Sequence, residues 1–411
     1  MPKKIRVNGR EYSWPIRPTV VVCVDGCEPD YIEQAVNAGA MPFTAEMLKR
    51  GADLRADGVV PSFTNPNNMS IVTGVAPAVH GICGNYFLDP ATGSEVMMND
   101  PAYLRCDTLL ATFAAEGGRV AVVSAKDKLR SLLGHALPLA GGNAVCFSAE
   151  KADQVDLETN GIAEVLALVG KPLPPVYSAE LSEFVFAAGV QLMKSDHWDL
   201  MYLSSTDYIQ HKFAPGTPAA NSFYSMLDGY LSQLDALGVT LAITADHGMK
   251  PKHDPEGRPN VIYLQRLLDE WLGEGKAKVI LPITDPYVVH HGALGSFALI
   301  YLASEQDADR IVERLAGTEG ILEVLPRETG CARFGLPPDR EGDLIVISTA
   351  EQTFGTRPEH HDLGQLKTPL RSHGGITEQR VPMLLNRRCQ RIDLSVKLRN
   401  FDAFFLALNS V

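Results

Sequence analysis

Residues 61–74 read PSFTNPNNMSIVTG, and the rest of the chain is organised around this stretch. The preceding Gly58-Val59-Val60 is typical of a strand, and residues 67–73 have a helical pattern. A chain that passes from a strand into a helix leaves backbone N–H groups at the junction, and these attract an anion such as phosphate. Thr64 is therefore a candidate nucleophile, and a coordinated metal is one way to activate its hydroxyl. The alternative is that Thr64 only caps the helix.

Continuous apolar runs predict the strands of a sheet. Runs without polar alternation are typical of strands buried on both faces of a parallel sheet. The predicted strands are residues 19–24, 119–124, 199–203, 239–245 and 381–385. Helical patterns lie at residues 157–168, 179–194, 223–237 and 402–408. The sequence therefore predicts an α/β fold with a mostly parallel central sheet flanked by helices.

Carboxylates and imidazoles lie just after these predicted strands or at a turn. They are Asp25, Asp207, His211, Asp246, His247 and His373. Open α/β sheets place ligand sites at the carboxyl ends of strands, and a spacing of four puts Asp207 and His211 on one helical face. Together with Thr64, these side chains suit two divalent metals, with zinc favoured over manganese or iron. Taken alone, Asp25 could instead cap the helix that Pro29 begins.

Two further groups could contact an anionic substrate. Asn85 follows a glycine-rich stretch, residues 79–84, and could donate a hydrogen bond to an oxyanion beside Thr64. Lys126 and Lys128 follow the predicted strand at residues 119–124 and could clamp an anionic group. The alternatives are that Asn85 lies in a plain turn and that both lysines are solvated.

The composition changes between about residues 252 and 372. Strand and helix patterns there alternate with loops rich in proline, glycine and charged residues. We therefore predict a catalytic core formed by residues 1–251 and 373–411, with residues 252–372 inserted as a smaller α/β lid. The pairs His290-His291 and His360-His361 fall in predicted lid loops, which makes them poor candidates for metal ligands.

Charge and composition favour some classes of protein over others. The chain of 411 residues is 45% hydrophobic, enough for a large core, and its formal net charge is -12. That charge argues against a general nucleic-acid surface. The basic start of the chain has no apolar run behind it, so we expect neither a signal peptide nor a membrane span, and a cytoplasmic protein. Seven scattered cysteines are typical of reduced thiols.

In their order along the chain, these residues resemble the alkaline phosphatase superfamily. The resemblance extends from about Thr19 to Leu385, and the similar branches are the nucleotide pyrophosphatase/phosphodiesterases and phosphonoacetate hydrolases. It implies that one zinc binds Asp207, His211 and His373. It implies that a second zinc binds Asp25, Asp246, His247 and the Thr64 oxygen.

The choice of branch depends on Thr64 and the two lysines. Classical alkaline phosphatases use a serine with an arginine beside it, whereas phosphodiesterases share the Thr64-Asn65 pair. Lys126 and Lys128 make the chain similar to phosphonoacetate hydrolases, because the substrate of that branch needs a cation at each end. This resemblance implies attack of Thr64 on phosphonoacetate, cleavage of the C–P bond and hydrolysis of phospho-Thr64.

Other functions stay open at this point. The same site could serve a phosphodiesterase or phosphomonoesterase, and a metal-dependent phosphoglycerate mutase is less favoured because that branch uses serine and manganese. A catalytically silent phosphonate-binding or metal-binding protein is the alternative outside enzymes. The expected partner is a small phosphonate, with no nucleic acid or membrane, and a homodimer is one possible assembly.

Overall fold

The computed structural model describes residues 3–283, 294–390 and 395–411. A seven-stranded sheet forms its centre. In spatial order its strands are Ala52–Asp57, Arg380–Leu385, Thr240–Thr244, Thr19–Cys23, Leu200–Ser204, Val120–Ser124 and Ala144–Ser148. Neighbouring strands are parallel except at Arg380–Leu385, which is antiparallel to the strands on both sides of it. The predicted α/β fold with a mostly parallel sheet is therefore confirmed.

Buried apolar strands explain why the sheet occupies the core. Every residue of Thr19–Cys23, Val120–Ser124 and Leu200–Ser204 is buried. Helices pack against these strands, among them Glu180–Ser195 and Ala403–Asn409. The other α-helices in the described part of the chain are Pro29–Asn37, Pro42–Arg50, Thr64–Thr73, Pro77–His80, Leu109–Ala115, Asp127–Leu133, Leu157–Asn160, Val165–Val169, Pro218–Ala236, Leu264–Leu272, Ala308–Ala316 and Arg327–Phe334. The strand ends carry the side chains that form the candidate site.

Two local predictions differ from the structure. Gly58-Val59-Val60 is not a strand, because the Val59 amide donates to the Asn67 side chain at 2.7 Å. The helical pattern at residues 157–168 forms two short helices that break at Gly161, where φ is +73° and a Cβ would lie 2.1 Å from the Ala144 carbonyl oxygen. A glycine is required at such a backbone position.

An edge strand and an N-terminal hairpin are among the elements that the sequence analysis did not predict. The strand Ala144–Ser148 forms an edge of the central sheet. An N-terminal hairpin pairs Lys4–Val7 with Arg10–Ser13. Its turn is Asn8-Gly9, with positive φ at both residues, which is a recognised hairpin signal.

A second sheet lies within the predicted insertion. Its four antiparallel strands are, in spatial order, Ala277–Ile280, Phe297–Leu302, Leu344–Ser348 and Ile321–Pro326. At the ends of this region Lys250–Pro251 pairs with Arg371–Ser372, so the chain leaves and returns at one place. Three more short pairings are Tyr86–Leu88 with Glu95–Met97, Val261–Tyr263 with Thr353–Gly355, and the N-terminal hairpin. The domain boundaries themselves stay a prediction.

A buried ion pair joins the insertion to the core. Lys252 and Glu378 are fully buried, with Nζ and Oε1 3.0 Å apart. Lys252 also donates to the Ala350 carbonyl at 2.8 Å, and Glu378 accepts from the Gly375 amide at 2.9 Å. These bonds connect the insertion to the loop that carries His373.

Glu341 is buried where the insertion meets the core. It is 3% exposed, and its carboxylate lies within hydrogen-bond reach of the Cys83 thiol. The adjacent Arg340 donates to the carbonyls of Gly81 and Tyr103, at 2.6 and 2.8 Å. Burial raises the pKa of Glu341 to about 8.

We expect Glu341→Gln to flatten the pH dependence of stability. The folded protein retains a proton that the unfolded chain releases, so wild-type stability should fall as pH rises from the ordinary carboxyl range to about 8 and then level off. Glutamine mimics the protonated acid and should remove this loss. Denaturant unfolding from about pH 5 to 9 would test this, with the exposed Glu328→Gln as control. Parallel curves for wild type and Glu341→Gln would contradict it.

Candidate active site

Four of the five parallel strands end at one cavity of about 350 Å³. A polar residue of the cavity wall lies one or two positions after each of these four strand ends. The cavity-lining residues that follow these strand ends are Asp25, Lys126, Glu150, Ser205, Thr206 and Asp207. Asp246 follows the fifth strand and is fully buried beneath them. The strand ends therefore position the candidate ligands, as expected for an open α/β sheet.

One candidate metal group consists of Asp207, His211 and His373. Asp207 and His211 lie on a single turn, closed by the His211 amide bonded to the Asp207 carbonyl at 3.0 Å. The Asp207 Oδ2 atom is 2.9 Å from His211 Nε2 and 3.7 Å from His373 Nε2. The structure thus brings together the set predicted for one metal.

A second group adjoins the first and consists of Asp25, Asp207 and His247. Asp25 Oδ1 lies 3.3 Å from His247 Nε2, and Asp246 Oδ2 lies 3.6 Å from the same nitrogen. The His247 and His373 rings stack with centroids 3.6 Å apart. Asp25, Asp246 and His247 are therefore adjacent as predicted, although their assignment to one metal stays a prediction.

The hydrogen bonds of the three histidines suit metal ligation. The Nδ1 atoms bond the backbone carbonyls of Arg371, Ser62 and Gly248, at distances of 2.7 to 2.9 Å. A carbonyl partner requires N–H at Nδ1, which leaves the Nε2 lone pair for a metal. Buried Asp25 Oδ1 and His247 Nε2 have no hydrogen-bond partner among the described residues. The donor set therefore fits divalent cations.

The electrostatics of the cluster lead to the same inference. Burial, and then the neighbouring carboxylates Asp207 and Asp246, raise the pKa of Asp25 well above its ordinary value. Burial, and then His247, lower the pKa of His373 well below its ordinary value. Burial opposes ionisation of Asp207 too, but the adjacent imidazoles lower its pKa overall. Cations bound here would relieve the repulsion between the carboxylates.

Thr64 is the first residue of the helix Thr64–Thr73, and Phe63 occupies the N-cap position. The simple capping role considered for Thr64 is therefore wrong. Its side chain lines the cavity together with Asp25, Asp207 and His373. Fewer backbone N–H groups than predicted are free at the start of this helix. Pro66 has no N–H, and the Asn65 amide donates to Asn85 Oδ1 at 2.9 Å. Only the Thr64 amide of these three positions is left for an anion.

Asn85 lies beside the nucleophile candidate. It lines the cavity and holds the Asn65 amide through Oδ1, so its NH₂ group is the part that can donate to a ligand. This placement is compatible with the predicted oxyanion contact. The neighbouring His80 has a different role, because its ring nitrogens bond Ser70 Oγ and the Ile82 amide, and burial lowers its pKa to about 3.

Lys126 and Lys128 both line the cavity. Lys126 immediately precedes the helix Asp127–Leu133, and Glu150 Oε2 accepts the Asp127 amide at 2.9 Å. Burial lowers the pKa of Lys126, an effect that the carboxylates of Glu150 and Asp207 oppose. Lys128 Nζ lies 3.6 Å from Met97 Sδ. The predicted cationic side of the site is thus on the same cavity as the candidate metal ligands.

Two positioning residues were missed by the sequence analysis. Asn68 accepts from Tyr202 and Ser204 at 2.7 and 2.9 Å and donates to Asp246 Oδ2 at 3.3 Å. Arg371 donates to the Gln210 and Met249 carbonyls at 2.9 and 3.1 Å, and so joins the loops that carry His211 and His247. The only available signal for Asn68 was a pair of poor helix formers inside a helix.

His360 and His361, the described members of the two histidine pairs that were considered as metal ligands, do not line the cavity. His361 Nε2 accepts the Thr356 amide at 3.0 Å, and His360 Nδ1 lies 2.9 Å from Thr356 Oγ1. His290-His291 lies outside the described residues. All seven cysteines are free thiols, including Cys23 and Cys27. No helix among the described residues combines the length and apolar character that a membrane crossing needs.

This fold and this cluster of acids, imidazoles and a threonine define a metal-site hydrolase of the alkaline phosphatase-like class. The chain belongs to the type I phosphodiesterase/nucleotide pyrophosphatase family, whose model matches residues 19–376. The predicted superfamily is thereby confirmed.

The comparison with solved structures adds a nearer relative. Phosphonoacetate hydrolase from Sinorhizobium meliloti is 56% identical, with a TM-score of 0.97 over 100% of this chain and 99% of that one. It was solved in complex with phosphonoacetate and with phosphonoformate. Murine ectonucleotide pyrophosphatase/phosphodiesterase 5 is 17% identical, with a TM-score of 0.64 over 96% of both chains, which supports the fold alone.

Curated relatives match a shorter region. An uncharacterized pyrophosphatase/phosphodiesterase of Schizosaccharomyces pombe is 27% identical over 255 residues, 57% of this chain and 45% of that protein. Human ectonucleotide pyrophosphatase/phosphodiesterase family member 1 is 24% identical over 256 residues, 57% of this chain and 24% of that protein. The matches thus span less than half the length of these curated relatives.

Proposed function

We propose that this enzyme hydrolyses the C–P bond of phosphonoacetate to give acetate and phosphate. The observation that carries the proposal is the placement of Lys126 and Lys128 on the same small cavity as the candidate metal ligands and Thr64. Phosphonoacetate has a phosphonate at one end and a carboxylate at the other, so its binding needs positive charge on both sides. The relative that is 56% identical is a phosphonoacetate hydrolase, which supports the same substrate.

The chain's own residues would act in two displacements. The Thr64 oxygen forms a bond to phosphorus while the C–P bond breaks, and the electron pair passes to the methylene carbon and into the carboxylate as an enolate. Lys126 and Lys128 hold that carboxylate and stabilise its charge. The Thr64 hydroxyl releases its proton to solvent, and a proton taken up from solvent converts the methylene carbon to the methyl group of acetate. Water then displaces Thr64 from phosphorus, which releases phosphate. Asn85 donates a hydrogen bond to a phosphoryl oxygen in both steps.

Two divalent metals, which we propose to be zinc, would occupy the clusters described above. One would be held by Asp207, His211 and His373, and the other by Asp25, Asp246, His247 and the Thr64 oxygen. When bound, they would supply positive charge that acidifies the attacking hydroxyl groups and neutralises the phosphonate. Manganese or iron could replace zinc with these ligands.

A second candidate function is the hydrolysis of phosphate esters at the same site. The specific observation in its favour is the match to the type I phosphodiesterase/nucleotide pyrophosphatase family over residues 19–376. Thr64 and the metal clusters would act in the same way on an ester, but the two lysines would then have no carboxylate to bind.

We also propose that the enzyme is cytoplasmic and that residues 252–372 form its lid. For its assembly we propose a homodimer.

Chelation followed by zinc restoration is the experiment that tests this proposal. We expect purified protein to release acetate and phosphate in equal amounts, to lose more than about nine-tenths of that activity with a chelator, and to regain it with zinc. Magnesium addition serves as the control, because magnesium prefers oxygen ligands. Hydrolysis of an aryl phosphodiester without any acetate release from phosphonoacetate would favour the second function instead.

A further inference from the structure

The loop at residues 171–178 lies at the rim of the cavity. It joins the helices Val165–Val169 and Glu180–Ser195 and contains three prolines, Pro172, Pro174 and Pro175. Its tip consists of Val176 and Tyr177, which both line the cavity. The Tyr177 residue is 73% exposed. An aromatic ring this exposed contributes little to the packing of the core. Its position on the cavity wall therefore indicates a role in binding.

The tip of the loop contacts a lysine of the proposed site. Lys126 Nζ donates to the Val176 carbonyl at 2.9 Å and lies 5.0 Å from the centroid of the Tyr177 ring. That distance is within the range of a cation–π interaction. An ammonium group has three N–H donors, so a bond to Val176 leaves others for a substrate carboxylate. The loop and the substrate can therefore bind Lys126 at the same time.

The ends of the loop are anchored, so its tip has a defined place. Lys171 Nζ is 2.7 Å from Glu183 Oε1 on the following helix, and Ser178 Oγ donates to the Pro175 carbonyl at 2.8 Å. The prolines further restrict the backbone. Ordering a loop before the ligand arrives reduces the entropy cost of binding. Val176 and Tyr177 are thus held beside Lys126 without a substrate.

We propose that Val176 and Tyr177 determine specificity for the leaving group. The Val176 carbonyl and the Tyr177 ring hold the Lys126 ammonium where a short carboxylate can reach it. The same two residues occupy the space beside Lys126, so a carboxymethyl leaving group fits and a bulky aryl group is disfavoured. This inference rests on the proposed function, since it takes the substrate to be a small phosphonate with a carboxylate.

Tyr177→Ala tests the inference. We expect kcat/KM for phosphonoacetate to fall roughly two- to fivefold, mainly through KM, and kcat/KM for an aryl phosphodiester to rise a few fold. Tyr177→Phe keeps the ring and should behave like the wild type on both substrates. Equal changes on the two substrates, or no change on either, would overturn the proposed role. Thermal melting identifies any loss of folding, which is not expected at a residue this exposed.

A double-mutant cycle separates positioning of Lys126 from a general effect of the loop. If Tyr177 acts through Lys126, Tyr177→Ala should have little further effect on phosphonoacetate in the Lys126→Ala background. Additive losses would overturn that link. No acetate release by the wild type would reject the proposed function. Acetate release by the wild type, with an unchanged substrate ratio in Tyr177→Ala, would reject only the role of the loop.

Discussion

Replacing Thr64 with alanine is expected to reduce phosphonoacetate turnover roughly ten-thousandfold or more, while metal content stays at the wild-type level. The expected loss is large because Thr64 is the proposed nucleophile and the first residue of a helix that points it into the cavity. Six candidate metal ligands are unchanged in this variant, so metal retention by elemental analysis is expected. Steady-state release of phosphate is the measurement.

Thr64→Ser is the matched variant, because it retains a hydroxyl at the same position. Partial activity in Thr64→Ser with none in Thr64→Ala would indicate that the oxygen itself is required. A trapped phosphoryl group on Thr64 after rapid quenching would test the intermediate directly. If Thr64→Ala kept a tenth or more of wild-type turnover, the nucleophile would have to be another group.

Replacing Lys128 with alanine is expected to discriminate between substrates. We expect kcat/KM for phosphonoacetate to fall roughly a hundredfold, because a charge-assisted contact to the carboxylate is lost. An aryl phosphodiester has no carboxylate, so its hydrolysis should change by less than about threefold. Lys126→Ala should likewise lower kcat/KM for phosphonoacetate more than kcat/KM for the aryl phosphodiester.

Lys151→Ala is the control for this experiment. Lys151 lies near the same helix and pairs with Asp127 at 3.2 Å, but its side chain is half exposed and does not line the cavity. Removing its charge should leave both substrates unaffected. Equal losses on both substrates in Lys128→Ala would exclude a carboxylate-binding role for that lysine.

The main features of the fold could be predicted because they depend on local sequence. Runs such as Thr19–Cys23 are β-branched and mostly apolar, so their burial in a parallel sheet follows from composition. Asp25 lies two residues after this strand, and the carboxyl ends of parallel strands lie at the same edge of the sheet. The direction of the strands and the position of each carboxylate after its strand were therefore enough to predict that Asp25 and Asp207 lie close together.

The supporting contacts could not be predicted because they join residues far apart in the chain. Asn68 contacts Asp246, and Arg371 contacts the Gln210 carbonyl, and neither pair has a local spacing pattern. The contact between Lys126 and the loop tip at Val176 likewise depends on how the helices pack. Sequence patterns indicate which side chains reach the sheet edge, whereas tertiary packing decides what orients them.

The late position of His373 has a consequence for how the protein is made. His373 is 126 residues after His247, and the strand Arg380–Leu385, which pairs with Ala52–Asp57, follows it. At about 5–20 residues per second, a ribosome needs roughly 6–25 s to complete this interval. Until then the nascent chain lacks a candidate ligand of the site and the strand that lies between Ala52–Asp57 and Thr240–Thr244. Hydrolytic activity should accordingly be absent from nascent chains that are stalled before His373.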